Sequence, residues 1–319
     1  MQTFIIALVL GLVATLGIYP IAIPFLHKIK FGQSIRTDGP QSHLKKTGTP
    51  TMGGLVFVLV PVLVLLVVMP SAFMDVKIQI VILSYLGYSL IGFIDDFLIV
   101  VKKNNDGLSA KMKFLMQTIL AVIIFLMYRG IASTSILIPL LNIELDLGIF
   151  YFFLIMIMFT AESNAVNLTD GLDGLSSGCM IVALAPFILF AIVQKEIGLA
   201  VFLLAVLGSL LGFLKNNFFP AKIFMGDTGS LALGGLLAAC AMVLKKEILL
   251  IIIGGIFVME TLSVVLQVGS FKLTGKRIFR MAPLHHHFEL GGMNEKSVVF
   301  MFWTIELVFA LVGYLLGVM

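Results

Sequence analysis

Long apolar stretches without a charged residue restrict this chain more than any other feature of its sequence. Residues 3–26 and 55–69 are two examples, and a helix that crosses a bilayer needs roughly 20 apolar residues. Only 12% of the 319 residues are charged, against about 25% in a soluble domain. Because the first stretch is too long for a signal peptide and no basic residue precedes it, we predict a retained transmembrane helix there.

Ten apolar runs predict an all-α integral membrane protein with about ten transmembrane helices in one domain, residues 1–319. Their approximate bounds are 3–29, 51–70, 77–101, 113–132, 149–167, 177–194, 197–214, 229–245, 247–270 and 297–318. Between the fourth and fifth runs, residues 133–148 alternate apolar and polar side chains around turn formers. This alternation predicts a small hairpin at the outer surface.

The distribution of basic residues predicts the orientation. Because successive loops alternate between the two sides, 16 of the 21 Lys and Arg residues fall on one side and 5 on the other. Basic residues mark the cytoplasmic side, which places both termini outside. The formal charge of +4 arises in these loops and not in a basic domain, so we expect no nucleic-acid partner. Cys179 and Cys240 lie in apolar runs and are predicted to be buried, without a disulfide or a metal.

Two adjacent carboxylates, Asp95 and Asp96, stand at the end of the third apolar run. A charged side chain at membrane depth costs at least about 2.5–3.5 kcal/mol on insertion scales, which favours a functional role. Carboxylate oxygens suit Mg²⁺, so we predict a site for Mg²⁺ or phosphate. The alternative is a pair of interfacial residues that cap the helix.

A second polar cluster contains Asn164, Asn167 and Asp170, which are three residues apart and would share one side of a helix. The glycines of Asp170-Gly-Leu-Asp173-Gly then interrupt that helix and add another carboxylate. The segment lacks the spacing and the closing Glu of an EF-hand calcium loop.

The third cluster, Gly226-Asp227-Thr228-Gly229-Ser230, opens the eighth apolar run. Backbone N–H groups at a helix N-terminus bind anions, and Asp227 could hold a metal there. Asp and Thr are also ordinary helix caps, so this pattern alone is weak.

Three consecutive histidines, 285–287, form the fourth cluster. Successive residues on a helix point in different directions and cannot all bind one ion, so hydrogen bonds to phosphate or sugar are favoured over zinc. The fifth cluster lies within residues 36–54, where Lys45 and Lys46 precede a stretch of small residues. Its glycines and proline suggest a backbone that approaches a ligand closely, although a polar linker would look similar.

All five clusters fall on the side that the basic residues mark as cytoplasmic. The loops concerned are approximately residues 30–50, 102–112, 168–176, 215–228 and 271–296. A random scatter of such clusters would occupy both faces. The asymmetry therefore predicts an active site at the cytoplasmic face.

These motifs resemble those of the phospho-N-acetylmuramoyl-pentapeptide-transferase family, within the polyprenyl-phosphate N-acetylhexosamine-1-phosphate transferase superfamily. They run in order along nearly the whole chain: Thr49-Pro-Thr-Met-Gly-Gly54, Asp95-Asp96, Asn164–Asp173, Phe224–Ser230 and Pro283-Leu-His-His-His-Phe-Glu289. The last run favours the muramoyl-pentapeptide branch over relatives that use other sugars. One departure is Ile99, where some members carry a basic residue; Lys102 and Lys103 would supply that charge.

The resemblance implies an enzyme of the bacterial cytoplasmic membrane that joins UDP-N-acetylmuramoyl-pentapeptide to undecaprenyl phosphate. The products would be lipid I and UMP, with Mg²⁺ as the cofactor. By resemblance the catalytic residues are Asp95, Asp96, Asp227 and His286, with Asp227 as the main Mg²⁺ ligand. The implied substrate-binding residues are Lys46, Lys111, Asn167, Asp170, Asp173, Phe224, Gln267 and His287, with Phe224 suited to stacking on uracil.

Several alternatives stay open at this point. A superfamily relative that uses another UDP-N-acetylhexosamine is the nearer one, and a membrane transporter is the more distant one. Transporters place polar residues near the midplane and often contain internal repeats, and neither pattern is evident here. The sequence also leaves open which of Asp95 and Asp96 is the base, whether a covalent intermediate forms, and the oligomeric state, a homodimer being one alternative. Glu260, in the ninth run, is interpreted as structural or as part of a helix break.

Overall fold

The structure, a computed structural model, describes residues 1–28, 46, 48–102, 107–139, 141 and 143–319. The predicted loop residues at 29–45, 47 and 103–106 lie outside the described residues, and with them Arg36, His43, Lys45 and Lys103.

Helices make up most of this described part of the chain. Nine of them are long and apolar enough to cross a membrane, which confirms the predicted all-α membrane fold. The helices are α1 Gln2–Lys28, α2 Gly54–Val68, α3 Val76–Lys102, α4 Ala110–Tyr128, α5 Phe150–Thr169, α6 Leu175–Val193, α7 Ile197–Asn217, α8 Gly226–Val243, α9 Glu247–Ile253, α10 Gly255–Thr274, α11 Leu284–Glu289 and α12 Glu295–Val318.

Two of the predicted spans have different bounds. Helix α2 has only 15 residues, because the chain leaves the helix at Met69 and Pro70 begins a short 3-10 turn that ends at Met74. The ninth predicted span divides at Gly254 into α9 and α10. Glycine is a poor helix former, and the Glu306 carboxylate of α12 accepts the Ile256 backbone N–H at 3.0 Å, which satisfies one donor of the new helix start.

The predicted hairpin is present, with β1 Ser135–Ile138 antiparallel to β2 Ile143–Asp146. Lys245, in the turn between α8 and α9, donates hydrogen bonds to the carbonyl oxygens of Ser133 at 2.6 Å and Ser135 at 3.0 Å. The hairpin is therefore anchored at the C-terminal end of α8. Both cysteines are buried, as predicted.

Helix α8 lies at the centre of the bundle, between α3 and α5. Every residue from Thr228 to Val243 is buried, and many of them are glycine or alanine. A Cβ built on Gly235 would lie 2.8 Å from the Tyr88 ring of α3, and one on Gly234 would lie 2.5 Å from the Glu162 carbonyl of α5. These small residues let both neighbours pack directly against the α8 backbone, as in other membrane helix pairs.

Glycines also bring α1 and α7 to backbone contact. A Cβ built on Gly208 would lie 2.9 Å from the Leu12 backbone nitrogen and 3.0 Å from the Leu8 carbonyl carbon. Because these are backbone atoms of the opposite helix, they cannot turn aside as a flexible side chain would.

We therefore expect Gly208→Ala to lower the thermal unfolding temperature of the detergent-solubilised protein by roughly 2–10 °C, the range for an overpacked interface. Gly17→Ala, on α1, is the matched control, because a Cβ there meets nothing within 4 Å. Equal unfolding temperatures for the two variants would contradict the close α1–α7 packing.

Candidate active site

A cavity of 630 Å³ lies where the C-terminal ends of α3 and α5 meet the N-terminal ends of α4 and α8. Nine of the twelve predicted site residues line it. They are Lys46, Asp95, Asp96, Asn167, Asp170, Asp173, Phe224, Asp227 and His286. All five polar clusters therefore contribute residues to one cavity, Lys46 coming from the cluster at residues 36–54. The asymmetry of the sequence predicted that they would lie on the same side.

The Asp96 side chain is buried and caps the N-terminus of α8. Its Oδ2 accepts the backbone N–H of Thr228 at 2.9 Å and the hydroxyl of the same residue at 2.6 Å, while Oδ1 accepts the Asp227 N–H at 3.1 Å. The helix dipole favours an acid at this position. Gly226, with φ of 72°, makes the turn that brings these donors together. Because Asp96 holds the backbone of Asp227 at this turn, the Asp227 side chain lies at the cavity.

Gly92 of α3 explains how α8 approaches this closely. A Cβ there would lie 2.6 Å from the Thr228 backbone nitrogen and would collide with the Asp227 carbonyl group. Any larger residue at position 92 would push the start of α8 away from the Asp96 carboxylate.

The neighbouring carboxylate, Asp95, faces different partners. Its Oδ1 accepts the Leu108 N–H at 2.8 Å, and its Oδ2 lies 3.8 Å from the ammonium of Lys113. The same ammonium donates to Asp227 Oδ2, while Asn167 Nδ2 donates to Asp227 Oδ1 at 2.7 Å. Asp95 and Asp227 thus converge on one lysine.

Lys113 was not among the predicted site residues, whereas Lys111 was. Residues two apart on a helix do not share a face, and Lys111 is exposed outside the cavity. Lys113 lies one turn before Gln117, which is buried and accepts a hydrogen bond from Asn164 at 2.9 Å. That i, i+4 relation to a buried polar residue is the signal that could have identified Lys113.

Lys46 is also held by two carboxylates. Its ammonium donates to Asp173 Oδ1 at 2.7 Å and to Glu295 Oε1 at 2.5 Å. Glu295 Oε1 also accepts the Asp173 N–H at 2.9 Å, and Asp173 Oδ2 accepts the Ala221 N–H at 2.8 Å. Glu295, at the start of α12, is a second residue that the sequence did not single out.

The histidines occupy three different environments. His286 lines the cavity and its Nδ1 lies 2.9 Å from Glu289 Oε2. His285 is fully buried, and its Nδ1 lies 3.1 Å from Glu260 Oε1. Glu260, six residues after the helix break at Gly254, therefore has a structural partner. His287 accepts the Arg280 N–H at 3.1 Å and lies outside the cavity.

Gln267 lies outside the cavity as well. Its Oε1 accepts the N–H groups of Ile278 and Phe279, both at 2.9 Å, and its amide donates to the Phe279 carbonyl at 2.9 Å. This side chain shapes the loop between α10 and α11. The substrate contacts predicted for Lys111, Gln267 and His287 stay predictions.

The charge of the cavity favours a divalent cation. Five aspartates and two lysines are among its described lining residues, an excess of three negative charges. No three His, Cys, Asp or Glu side chains in the described part of the chain are grouped as a metal site. Mg²⁺ nevertheless requires only one or two carboxylates besides water and substrate phosphates. Asp227, whose carboxylate already binds a cation, fits that requirement, with Asp95 beside it.

Comparison with known proteins identifies the family. Residues 78–245, more than half of the chain, match the family model described as glycosyl transferase family 4, and residues 46–58 match signature 1 of phospho-N-acetylmuramoyl-pentapeptide-transferase. Proteins with that name from Bacillus thuringiensis (strain Al Hakam) and Bacillus cereus (strain AH187) are 51% identical over 319 residues, covering 97% of this chain and 98% of theirs. The chain belongs to the phospho-N-acetylmuramoyl-pentapeptide-transferase family.

This membership confirms the resemblance seen in the sequence. The signature of the phospho-N-acetylmuramoyl-pentapeptide-transferase family begins at Lys46, and the glycosyl transferase family 4 segment contains every cavity residue from Asp95 to Asp227. The histidines lie beyond both segments, in the part of the chain that only the full-length relatives cover.

The loop that carries Asp170 and Asp173 packs against His285. A Cβ built on Gly171 would lie 2.8 Å from His285 Cε1 and closer still to Nε2. We expect Gly171→Ala to destabilise the protein by about 1–3 kcal/mol, the usual cost of overpacking, and to raise KM. In a His285→Ala background the ring is gone, so the same change should cost less.

Thermal unfolding and KM of the two single variants and the double variant measure this compensation. If Gly171→Ala is equally costly in both backgrounds, the His285 ring does not limit the space at position 171.

The structure disfavours a negative charge on Asp170, which lies between α5 and α6. Burial raises its pKa well above the usual value, and Asp227, Asp96 and Asp173 raise it further. Because the folded state then holds this proton more tightly than the unfolded state, the contribution of Asp170 to stability falls as pH rises above the ordinary carboxyl range.

We expect Asp170→Asn to raise the unfolding temperature in metal-free buffer near about pH 8, and the gain to shrink towards about pH 4. Thermal unfolding in EDTA across this range measures the difference between variant and wild type. A difference that does not change with pH would contradict the raised pKa.

Proposed function

We propose that the protein transfers phospho-N-acetylmuramoyl-pentapeptide from its UDP-linked form to undecaprenyl phosphate, which gives lipid I and UMP. This is the first membrane step of peptidoglycan synthesis. The observation that carries the proposal is the 51% identity to phospho-N-acetylmuramoyl-pentapeptide-transferases over 97% of the chain.

The position of the cavity supports this chemistry. Asp227 lies in the first turn of α8, and the turn that binds the hairpin follows the last residue of this helix. Helix α8 has 18 residues, which span about 27 Å. A cavity at one end of the bundle suits a lipid phosphate whose tail stays in the bilayer. The distribution of Lys and Arg supports a cytoplasmic position for this end, on the side where the UDP-sugar would be available.

Asp227, with Asp95 beside it, would hold Mg²⁺. Bound there, Mg²⁺ would neutralise the pyrophosphate and stabilise charge on the transferring phosphoryl group. The acidic lining supports this role, because two anionic substrates enter a cavity that already has an excess of carboxylates.

Within the aspartate pair, we assign the two residues different roles. Asp96 is engaged by three donors at the start of α8 and acts as a positioning residue. Asp95 lines the cavity, accepts only the Leu108 N–H on Oδ1 and has its Oδ2 3.8 Å from the Lys113 ammonium. We therefore assign Asp95 as the base that accepts the proton of the lipid phosphate. An oxygen of that phosphate then bonds to the sugar-linked phosphorus, and the bond from this phosphorus to the UMP oxygen breaks.

The remaining cavity residues bind the substrates. Phe224 is suited to stack on uracil, and Asn167 and Asp170, which line the same cavity, would make polar contacts to the nucleotide. His286 and Lys46 reach the phosphates. Asp173, with both oxygens engaged by the protein, holds Lys46 in place.

The test is the release of UMP by the purified protein from UDP-N-acetylmuramoyl-pentapeptide, which we expect to require undecaprenyl phosphate and Mg²⁺. UDP-N-acetylglucosamine should give no UMP, and release from it would favour another superfamily branch.

Asp95→Asn should lower kcat by about 10²–10⁴-fold, as for loss of a general base, and should leave the unfolding temperature unchanged. Asp96→Asn should lower both kcat and the unfolding temperature. If instead Asp95→Asn lowers the unfolding temperature and Asp96→Asn lowers only kcat, the two roles are exchanged.

A further inference from the structure

We infer that Lys113 is the resident cation of the metal site, held by Asp227 in the metal-free protein and released when a divalent cation binds. The inference rests on the proposed Mg²⁺ site and adds a role for a residue that neither the sequence motifs nor the comparisons single out.

The contacts of Asp227 carry the inference. Both of its oxygens are engaged: Oδ1 by the neutral amide of Asn167 at 2.7 Å, and Oδ2 by the Lys113 ammonium. Of the two, only Oδ2 is held by a charged partner. A divalent cation that binds Asp227 therefore competes with Lys113 for the same carboxylate.

The surroundings explain why a cation is needed there at all. Asp95 lies 3.8 Å from the same ammonium, and Asp96 is joined to the Asp227 backbone. The side chains of Lys113, Asp227 and Asp95 are only 16%, 22% and 9% exposed, so water screens their charges incompletely. Without Lys113 or a metal ion, neighbouring carboxylates would face each other uncompensated.

Two cations cannot share this position, because the ammonium and a divalent ion repel each other. The lysine side chain is a compact charge on a flexible four-carbon stem, so it can leave Asp227 and remain in the cavity that it lines. Its three N–H donors are then free for an anion. Binding of the metal would thus deliver a second positive charge to the phosphates of the substrate.

Direct binding of Mn²⁺, measured by electron paramagnetic resonance on the purified full-length protein without substrate, tests the competition. We expect Lys113→Met to bind Mn²⁺ at least about 10- to 30-fold more tightly than wild type, the effect of removing a unit charge about 4 Å from a divalent ion in bulk water. Lys111→Met is the matched control, since it removes the same charge two residues away on an exposed face, and its affinity should change little.

Thermal unfolding gives an independent readout. In EDTA, Lys113→Met should unfold at a lower temperature than wild type, because the acidic cluster loses its cation, and Mn²⁺ should stabilise the variant more than it stabilises wild type. A lysine that only fills space would be replaced by methionine without this dependence on the metal.

Lys113→Arg provides a second test that does not depend on how well the methionine variant folds. Arginine stays charged and matches a carboxylate with two parallel donors, so it should hold Asp227 more firmly and weaken Mn²⁺ binding several-fold. Unchanged Mn²⁺ affinity in Lys113→Arg, or in a folded Lys113→Met, would overturn the inference.

These outcomes are separable from failure of the proposed function. If wild type binds Mn²⁺ and Asp227→Asn does not, the metal site stands whatever Lys113 does. If wild type binds no Mn²⁺ in substrate-free solution or with the UDP-sugar present, the metal assignment itself fails and the inference fails with it.

Discussion

The contact between the Asp96 carboxylate and the first N–H groups of α8 holds the rest of the site in place. It joins the end of α3 to the start of α8 through three hydrogen bonds, and it meets the backbone donors that the first turn of any helix leaves without partners. Since Asp96 and Thr228 are buried, water does not satisfy these groups, and the carboxylate and the helix start depend on each other. Asp227 reaches the cavity as a consequence.

This contact requires two helices to approach more closely than side chains normally permit. Gly92 supplies the space on α3, and Gly235 supplies it farther along α8. Glycine inside a helix costs about 1 kcal/mol relative to alanine, and packing of the opposite backbone offsets that cost. The central helix is buried from Thr228 to Val243, so its N-terminus is fixed by the whole bundle and not by the loops around it.

The pattern of apolar runs was sufficient to predict the helices, because length and hydrophobicity decide what crosses a bilayer. Alternation of the loops was sufficient to bring Asp95, Asn167 and Asp227 to the same end. What the sequence could not provide were contacts between distant segments. Glu295 binds Lys46 although the two residues are 249 positions apart in the sequence. Lys113, and not the predicted Lys111, lines the cavity, because the rotation of α4 decides which lysine faces inward. The division of the ninth span at Gly254 likewise depends on the Glu306 carboxylate of another helix.

The two lysines of the cavity connect these observations to the proposed reaction. Each is engaged by carboxylates, Lys46 by Asp173 and Glu295 and Lys113 by Asp227 and Asp95. In a half-buried site an unpaired charge is costly, so the protein holds its basic groups neutralised before substrate arrives. Among the described residues that line the cavity, an anionic substrate consequently meets little free positive charge. In the proposed mechanism a divalent cation would change that balance, because it would add two charges and displace the Lys113 ammonium next to the carboxylate that we assign to the lipid phosphate. The acidic character of the cavity, which opposes anionic substrates taken alone, would thereby make their binding depend on the metal.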